Sequence, residues 1–178
     1  IGMINQEDTP LGSFPELRLA VEAGIEWINT ELGGVGGRPL ELRPCITNFS
    51  VERSQACAQQ MVRDEVVAVL GGIDITSNGS IPILEQNELP YVGGIPINLD
   101  EERSPISFQF SGGTPGAFAA FAWYAAEVLE AEHIAVVYAE YPPIQTAAQD
   151  YGVTVAENLG VDEVREVDAI DAEAIVFS

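Results

Sequence analysis

The stretch VVAVL, residues 66–70, decides the fold class of this chain. It is a continuous apolar run followed by a polar, glycine-bearing turn, which is typical of a strand buried on both faces of a parallel sheet. Before it, Ser50 is placed to cap a helix whose apolar side chains fall on one side. After it, residues 81–87 predict a short helix and residues 89–92 another strand. This alternation of strands and crossover helices predicts an α/β protein with a doubly wound parallel sheet.

The sequence before residue 50 supplies another strand, helix and strand. Residues 1–4 predict a strand, and Ser13 begins a helix as the first member of a capping box with Glu16. Apolar residues then recur at helical spacing until the glycine pair 33–34 ends the helix. Residues 40–45 predict the second strand.

A boundary between two domains is predicted where GGTPG occupies residues 112–116. The stretch 93–104 before it is expected to be a loop, and Thr114 suits the N-cap of the helix that follows. The first lobe is assigned to residues 1–113 and part of a second lobe to residues 114–178.

The second lobe is predicted to be truncated. Residues 134–138 and 164–167 predict strands with a helix over 144–159 between them, and 174–177 form a further apolar run. A parallel crossover needs a dozen or more residues, and far fewer separate the last two runs. Either these runs form a hairpin or residues are missing between them, and we favour the second.

The composition excludes two classes of partner. The 178 residues carry 28 acidic and 7 basic side chains, with a formal net charge of −21. Nucleic acids and anionic membrane surfaces are themselves negative, so we expect no nucleic acid partner. The apolar stretches fall short of the roughly 20 residues that a membrane span needs. We therefore expect no direct membrane insertion of this segment.

Cys45 and Cys57 are the only cysteines. An even count suits one disulfide in an oxidising compartment. Two buried free thiols are the alternative, and the residues alone leave both open.

The sequence offers little for catalysis. His133 is the only histidine and precedes a predicted strand, and no Gly-x-Ser-x-Gly nucleophile motif occurs. The glycine-rich run 34–37 is followed by a strand and not by a phosphate-binding helix, so it fails the context of a dinucleotide loop. With one histidine and two cysteines that can pair with each other, no metal site and no cofactor are predicted.

Several segments together resemble a known family. They are EWIN at 26–29, GGVGGRPLEL at 33–42, VAVLGG at 67–72, LPYV at 89–92 and IAVVY at 134–138. In combination they are similar to the type I periplasmic solute-binding proteins of the branched-chain amino acid (Leu/Ile/Val-binding) group. The resemblance covers essentially the whole chain.

The resemblance implies an α/β clamp of two Rossmann-like lobes with parallel sheets, the second lobe truncated here, that closes about a hinge on a small molecule. It implies an extracytoplasmic binding protein, with or without a lipid anchor, that partners the membrane permease of an ABC transporter and performs no chemistry. It also implies a disulfide, since many members carry one at the positions of Cys45 and Cys57. The alternatives are a ligand-sensing receptor or regulator domain on the same fold and an α/β enzyme with a cleft site.

Ligands of open α/β sheets collect beyond the carboxyl ends of the strands. Together with the resemblance, this rule selects the loops at the carboxyl ends of the strands as the predicted ligand site. The candidate residues are Phe14, Asp74, Thr76, Ser77, Ile95, Pro96 and Tyr141.

Each candidate has a structural alternative. Thr76 and Ser77, near the start of a helix, can hold a ligand carboxylate, although Ser77 or Asn78 can instead cap that helix. Asp74 can accept a ligand ammonium group or face water. Phe14 can stack on a ligand, as the resemblance implies, or form a hydrophobic staple on its own helix.

The chain departs from the amino-acid-binding pattern at two positions. Pro96 and Ile97 stand where such relatives carry an Ala-Thr pair that holds the ligand's amino acid head. Pro143 stands where relatives place a tyrosine over the ligand, and Tyr141 is the nearest substitute. An aromatic or amide ligand therefore fits these residues at least as well as a free amino acid.

Overall fold

The structure, a computed structural model, describes residues 1–9 and 12–169. The chain forms two compact units. The first holds Ile1–Ile95 and Asp100–Phe110, and the second holds Pro96–Leu99 and the chain from Ser111 onward.

The first unit is built on a five-stranded sheet in the order β2-β1-β3-β4-β5, and every pair of neighbouring strands is parallel. This confirms the predicted doubly wound sheet, although β2 and β3 each begin three residues later than the sequence predicts. The strands are β1 (Gly2–Gln6), β2 (Arg43–Thr47), β3 (Val69–Gly71), β4 (Tyr91–Val92) and β5 (Ser107–Phe108). The helices are α1 (Pro15–Glu31), α2 (Val51–Arg63), α3 (Ile81–Gln86) and α4 (Leu99–Arg103).

The core of the first unit lies between the sheet and helices α2 and α3. Its largest buried side chains are Ile4, Met61, Ile81, Leu84 and Tyr91. Burial of such apolar surface contributes about 25 cal/mol for each Å² removed from water, which makes this layer the main source of the unit's stability.

A disulfide joins β2 to α2 inside this core. Cys45 and Cys57 are bonded, their Cα atoms lie 5.5 Å apart, and both residues are buried. The predicted disulfide is therefore confirmed, and the alternative of two free thiols is wrong.

Helix α1 begins differently from the prediction. Phe14 is its N-cap and makes no side-chain capping bond, while the Ser13 hydroxyl accepts a hydrogen bond from Asp8 N at 3.2 Å. The capping box was therefore wrong, because Pro15 has no N–H and takes the first helical position, which moves the cap to the residue before it. The predicted cap of α2 is confirmed, since Ser50 Oγ accepts from Arg53 N at 3.2 Å.

Helix α4 forms inside the stretch 93–104 that the sequence predicts to be a loop. Its Glu101 is fully buried and accepts a hydrogen bond from the Tyr91 hydroxyl at 3.3 Å. Burial, reinforced by the charge of Glu101, raises the pKa of Tyr91 well above its ordinary value. The helix was missed because a tertiary contact holds it, and no apolar stripe marks its sequence.

The second unit contains two parallel strands, β6 (His133–Ala139) and β7 (Glu163–Ala169). Helix α5 (Gly113–Trp123) continues as a π-helical turn over Tyr124–Val128, and its N-cap is Gly112 instead of the predicted Thr114. The helix predicted over 144–159 is observed as α6 (Pro142–Ala147), a π-helical turn over Ala148–Val153, and α7 (Thr154–Asn158). The strand predicted at 174–177 lies outside the described residues.

Helices long and apolar enough to cross a membrane are absent from the residues that the structure describes.

Candidate functional site

Buried polar side chains gather at the carboxyl edge of the first unit's sheet. Asn5 and Gln6 end β1, Thr47 ends β2, and Asp74 follows β3; all four are fully buried. Buried polar groups are stable only when they are hydrogen-bonded, so this edge must be held by a network of side-chain contacts.

Asp74 is one centre of that network. Its Oδ1 accepts hydrogen bonds from Thr47 Oγ1 at 3.2 Å and from Thr76 N and Oγ1 at 3.0 and 2.8 Å. Its Oδ2 accepts from Ser54 Oγ at 2.6 Å and from Ser80 Oγ at 3.5 Å. The carboxylate thus ties the loop after β3 to β2 and α2. Binding of a ligand ammonium group by Asp74 stays a prediction.

The loop after Asp74 folds into turns, in which Thr76 and Ser77 are buried and Asn78 is exposed. Ser77 O accepts hydrogen bonds from Ser80 N at 3.0 Å and Ile81 N at 2.9 Å. Ser80 is the N-cap of α3, so the alternative in which Ser77 or Asn78 caps that helix is wrong. Binding of a ligand carboxylate at Thr76 and Ser77 stays a prediction.

Asn5 is the second centre of the network. Its Nδ2 donates to Phe14 O at 2.8 Å, and its Oδ1 accepts from Ile73 N at 3.2 Å. Phe14 N donates to Gln6 O at 3.0 Å, which fixes the turn before α1 at the end of β1. Phe14 is half-buried and is itself the N-cap, so it does not occupy the preceding position that a hydrophobic staple requires.

Glu7 is a second buried carboxylate of this edge, and it pairs with an arginine. Arg18 donates to it from Nε at 2.9 Å and from one guanidinium NH₂ at 3.1 Å, and Asn5 Nδ2 donates at 3.1 Å. These contacts, the hydrogen bond from Arg18 first, hold the pKa of Glu7 below its ordinary value of 4.5, although burial acts in the opposite direction. A bidentate pair of this kind fixes the orientation of both side chains.

The loops after β3 and β4 lie directly against each other. A Cβ atom added at Gly71 would lie 2.6 Å from Gly93 O, and one added at Gly94 would lie 3.0 Å from Gly72 O. Gly94 also has a φ of +99°, which side chains rarely adopt. Ile95 N donates to Gly72 O at 3.1 Å, and the Ile95 side chain is 41% exposed.

The structure places the predicted site residues in both units. The loops that follow β1, β3 and β4 of the first unit carry Phe14, Asp74, Thr76, Ser77 and Ile95. Pro96 and Tyr141 belong to the second unit, where Pro96 O accepts a hydrogen bond from Thr114 N at 2.9 Å and Tyr141 is the N-cap of α6.

The sequence reasoning missed the side chains that hold these loops. They are Asn5, Gln6, Glu7, Arg18, Thr47 and Ser54. The triplet Asn-Gln-Glu at residues 5–7 was the available signal, because three polar residues directly follow a buried strand at the edge where ligands of parallel sheets collect. Groups of three or more side chains able to hold a metal ion do not occur among residues 1–9 and 12–169.

The comparison with protein families decides the identity of this fold. A family model described as periplasmic binding protein matches residues 1–174. The chain belongs to the periplasmic binding protein family. The resemblance seen in the sequence is therefore confirmed, as is the type I fold with its parallel sheets. No functionally curated protein is significantly similar to this periplasmic binding protein in sequence.

Solved structures with the same fold include three binding proteins. The leucine binding protein LivK of Thermotoga maritima is 20% identical with a TM-score of 0.68, and the match covers 95% of this chain and 49% of that one. LivJ of Streptococcus pneumoniae, in complex with isoleucine, is 14% identical with a TM-score of 0.67, covering 96% and 50%. An ABC transporter binding protein of Rhodopseudomonas palustris, in complex with 3,4-dihydroxybenzoic acid, is 17% identical with a TM-score of 0.69, covering 94% and 46%.

At these identities the likeness is one of fold, and the chain spans about half the length of each of these relatives. The family consists of extracytoplasmic solute-binding proteins of transporters and not of enzymes. This confirms the expectation that the chain is not an enzyme, and the α/β enzyme alternative is wrong.

Proposed function

We propose that this chain is part of the solute-binding protein of an ABC-type uptake system, which holds an amino acid, an amide or a small aromatic compound without changing it. Its partner in this proposal is the membrane permease of the transporter. The family membership supports the proposal, and so do the relatives that bind isoleucine and 3,4-dihydroxybenzoic acid. The disulfide fits an extracytoplasmic location, with or without a lipid anchor, because such bonds persist in oxidising compartments.

The observation that carries the proposal is the fixed arrangement of loops at the carboxyl edge of the first sheet. Asn5 and Asp74 hold the turn before α1 and the loop after β3 through buried hydrogen bonds. Loops that are ordered before a ligand arrives lose less entropy on binding, which favours affinity. A parallel sheet also presents its ligand sites at this edge.

Within this proposal, the ligand contacts come from the residues that the sequence selected. In the first unit, Phe14 and Ile95 offer apolar surface. Thr76 and Ser77 are the candidates for polar contacts; both are buried, and Thr76 already donates to Asp74, so a ligand has to reach into the loop to meet them. Pro96 and Tyr141 are the candidates in the second unit. The assignment of the lobes to residues 1–113 and 114–178, and a ligand held between the two lobes, stay predictions.

A thermal-shift screen tests the proposal on the intact protein. The probes are isoleucine, isobutyramide, p-hydroxybenzoic acid and 3,4-dihydroxybenzoic acid. A probe at about 100 times its Kd stabilises the folded state by about 2.7 kcal/mol, which raises the melting temperature by roughly 5–10 °C. Chromatography of the complex should return the probe unchanged. Failure of all four probes to shift the melting temperature would contradict the proposal for these ligand classes.

Phe14→Leu locates the site once a probe binds. Loss of the ring contact should weaken binding of that probe by about 2- to 10-fold. Trp27→Leu is the matched control, because Trp27 is exposed on the same helix and lies about 20 Å further along it. Equal affinities of the two variants for the probe would mean that the ligand does not bind at the turn before α1.

A further inference from the structure

We propose that Asn5 is a positioning residue for ligand binding, which sets the spacing between the two loops that carry the first unit's main ligand contacts. The inference rests on the proposed function. Asn5 itself touches no ligand in this proposal; it acts through the backbone of Phe14 and of Ile73.

One buried side chain joins three segments at this edge. The Asn5 amide nitrogen donates to Phe14 O at 2.8 Å and to Glu7 Oε1 at 3.1 Å, and its oxygen accepts from Ile73 N at 3.2 Å. Both amide hydrogens and the carbonyl oxygen are therefore used. The turn before α1 and the loop after β3 are thereby held to the same point of β1.

The geometry selects asparagine over similar residues. Aspartate would keep the acceptor for Ile73 N but would place a second carboxylate beside Glu7 and lose the donor to Phe14 O. Glutamine is one methylene longer, and the space is closed on one side by Gly72, where an added Cβ would lie 2.2 Å from Asn5 Oδ1. The side chain, fully buried, has no room to reorient toward water.

The two loops that Asn5 joins are those that the proposed function uses. Phe14 lies in one, and Ile73 directly precedes Asp74 and the turns that contain Thr76 and Ser77. When Asn5 is removed, the backbone of Gln6 still accepts from Phe14 N and donates to Ile73 O. What the two loops lose is the side chain that sets their spacing on β1. We therefore expect ligand affinity to fall while the local turns within each loop are kept.

A matched pair of variants separates positioning from stability. Asn29 makes the same two kinds of backbone bond as Asn5, donating to Leu40 O at 2.8 Å and accepting from Leu40 N at 2.7 Å, but it lies in α1 away from the carboxyl edge. We expect Asn5→Ala and Asn29→Ala to lower the melting temperature of the intact protein, because each leaves backbone groups without their partner. Only Asn5→Ala should affect binding.

The readouts are calorimetric affinity for isoleucine and p-hydroxybenzoic acid and hydrogen exchange of the Ile73 amide. For whichever probe binds the wild type, Asn5→Ala should weaken affinity at least 10-fold and speed exchange of Ile73, and Asn29→Ala should change neither. Asn5→Asp should keep Ile73 protected and still weaken affinity, since it retains that acceptor and loses the bond to Phe14 O. This second variant also decides the matter if Asn5→Ala does not fold.

Three outcomes are distinguishable. Unchanged affinity in both Asn5 variants, or an equal loss in Asn29→Ala, would overturn the positioning role. Unchanged protection of Ile73 in Asn5→Ala would overturn it as well, with or without a ligand. Absence of binding of either probe to the wild type would count against the proposed function for these compounds, while the exchange of Ile73 would still decide whether Asn5 fixes the loop.

Discussion

Reduction of the Cys45–Cys57 disulfide should lower the free energy of unfolding by about 3 kcal/mol. The two cysteines are 12 residues apart in sequence. For a loop of this length, the chain-entropy relation gives about 9.5 cal/mol/K of entropy regained by the reduced, unfolded chain, or about 2.8 kcal/mol at 25 °C. At roughly 2–4 °C for each kcal/mol, the melting temperature should fall by about 6–11 °C.

The assay compares thermal and urea unfolding of the oxidised protein, of protein reduced while unfolded and then refolded, and of the double variant C45A/C57A. Reduction in the unfolded state is needed because both cysteines are buried. The reduced wild type isolates the effect of the cross-link, whereas the double variant also loses the two buried sulfur atoms and should be somewhat less stable. The reductant itself should leave the double variant unchanged.

Two results would refute this reasoning. Titration of two free thiols in the unfolded but unreduced protein would mean that Cys45 and Cys57 are not bonded. A loss of stability below about 1 kcal/mol on reduction would mean that the unfolded chain is already restricted around this loop, so that the entropy relation does not apply.

Two further predictions concern the carboxyl edge and its glycine loops. The ion pair with Arg18 lowers the pKa of Glu7, so the stability it contributes is present at neutral pH and is lost as the pH falls through that lowered pKa. Glu7→Gln should therefore be less stable than the wild type at pH 7, and urea titrations should show the difference narrowing below about pH 4; a constant difference would contradict this. Gly71→Ala should destabilise by about 1–3 kcal/mol, because its Cβ would lie 2.6 Å from Gly93 O. Gly24→Ala, in an exposed position inside α1 with nothing within 4 Å, should instead gain about 0.5–1 kcal/mol, and equal effects of the two substitutions in urea unfolding would contradict the close packing of the loops.

Local sequence signals predicted most of the first unit because they act over one turn or one strand. Ser50 was identified as a helix cap from its own position, and the structure confirms the bond to Arg53 N. The same kind of signal was wrong at Ser13, where a proline two residues later determined the start of the helix. It was silent for α4, which depends on the contact between Tyr91 and Glu101.

In the candidate site too, the sequence marked local features and gave no sign of contacts between residues that are distant in the chain. The sequence selected the Asp74 loop from its place after a buried strand, but it gave no indication that Thr47 and Ser54 donate to that carboxylate, since they lie 27 and 20 residues before it. It left Asn5 unmarked, although Asn5 reaches across to Ile73, 68 residues later.

By itself, the sequence determined the succession of strands and helices apart from α4, the parallel sheet and the family, because periodicity, turn residues and motifs lie within short stretches of chain. Only the tertiary structure decided which polar side chains hold the loops at the carboxyl edge. Each of those hydrogen bonds joins residues that are brought together by the parallel crossovers, and a buried polar group finds its partner only after the strands have been placed side by side.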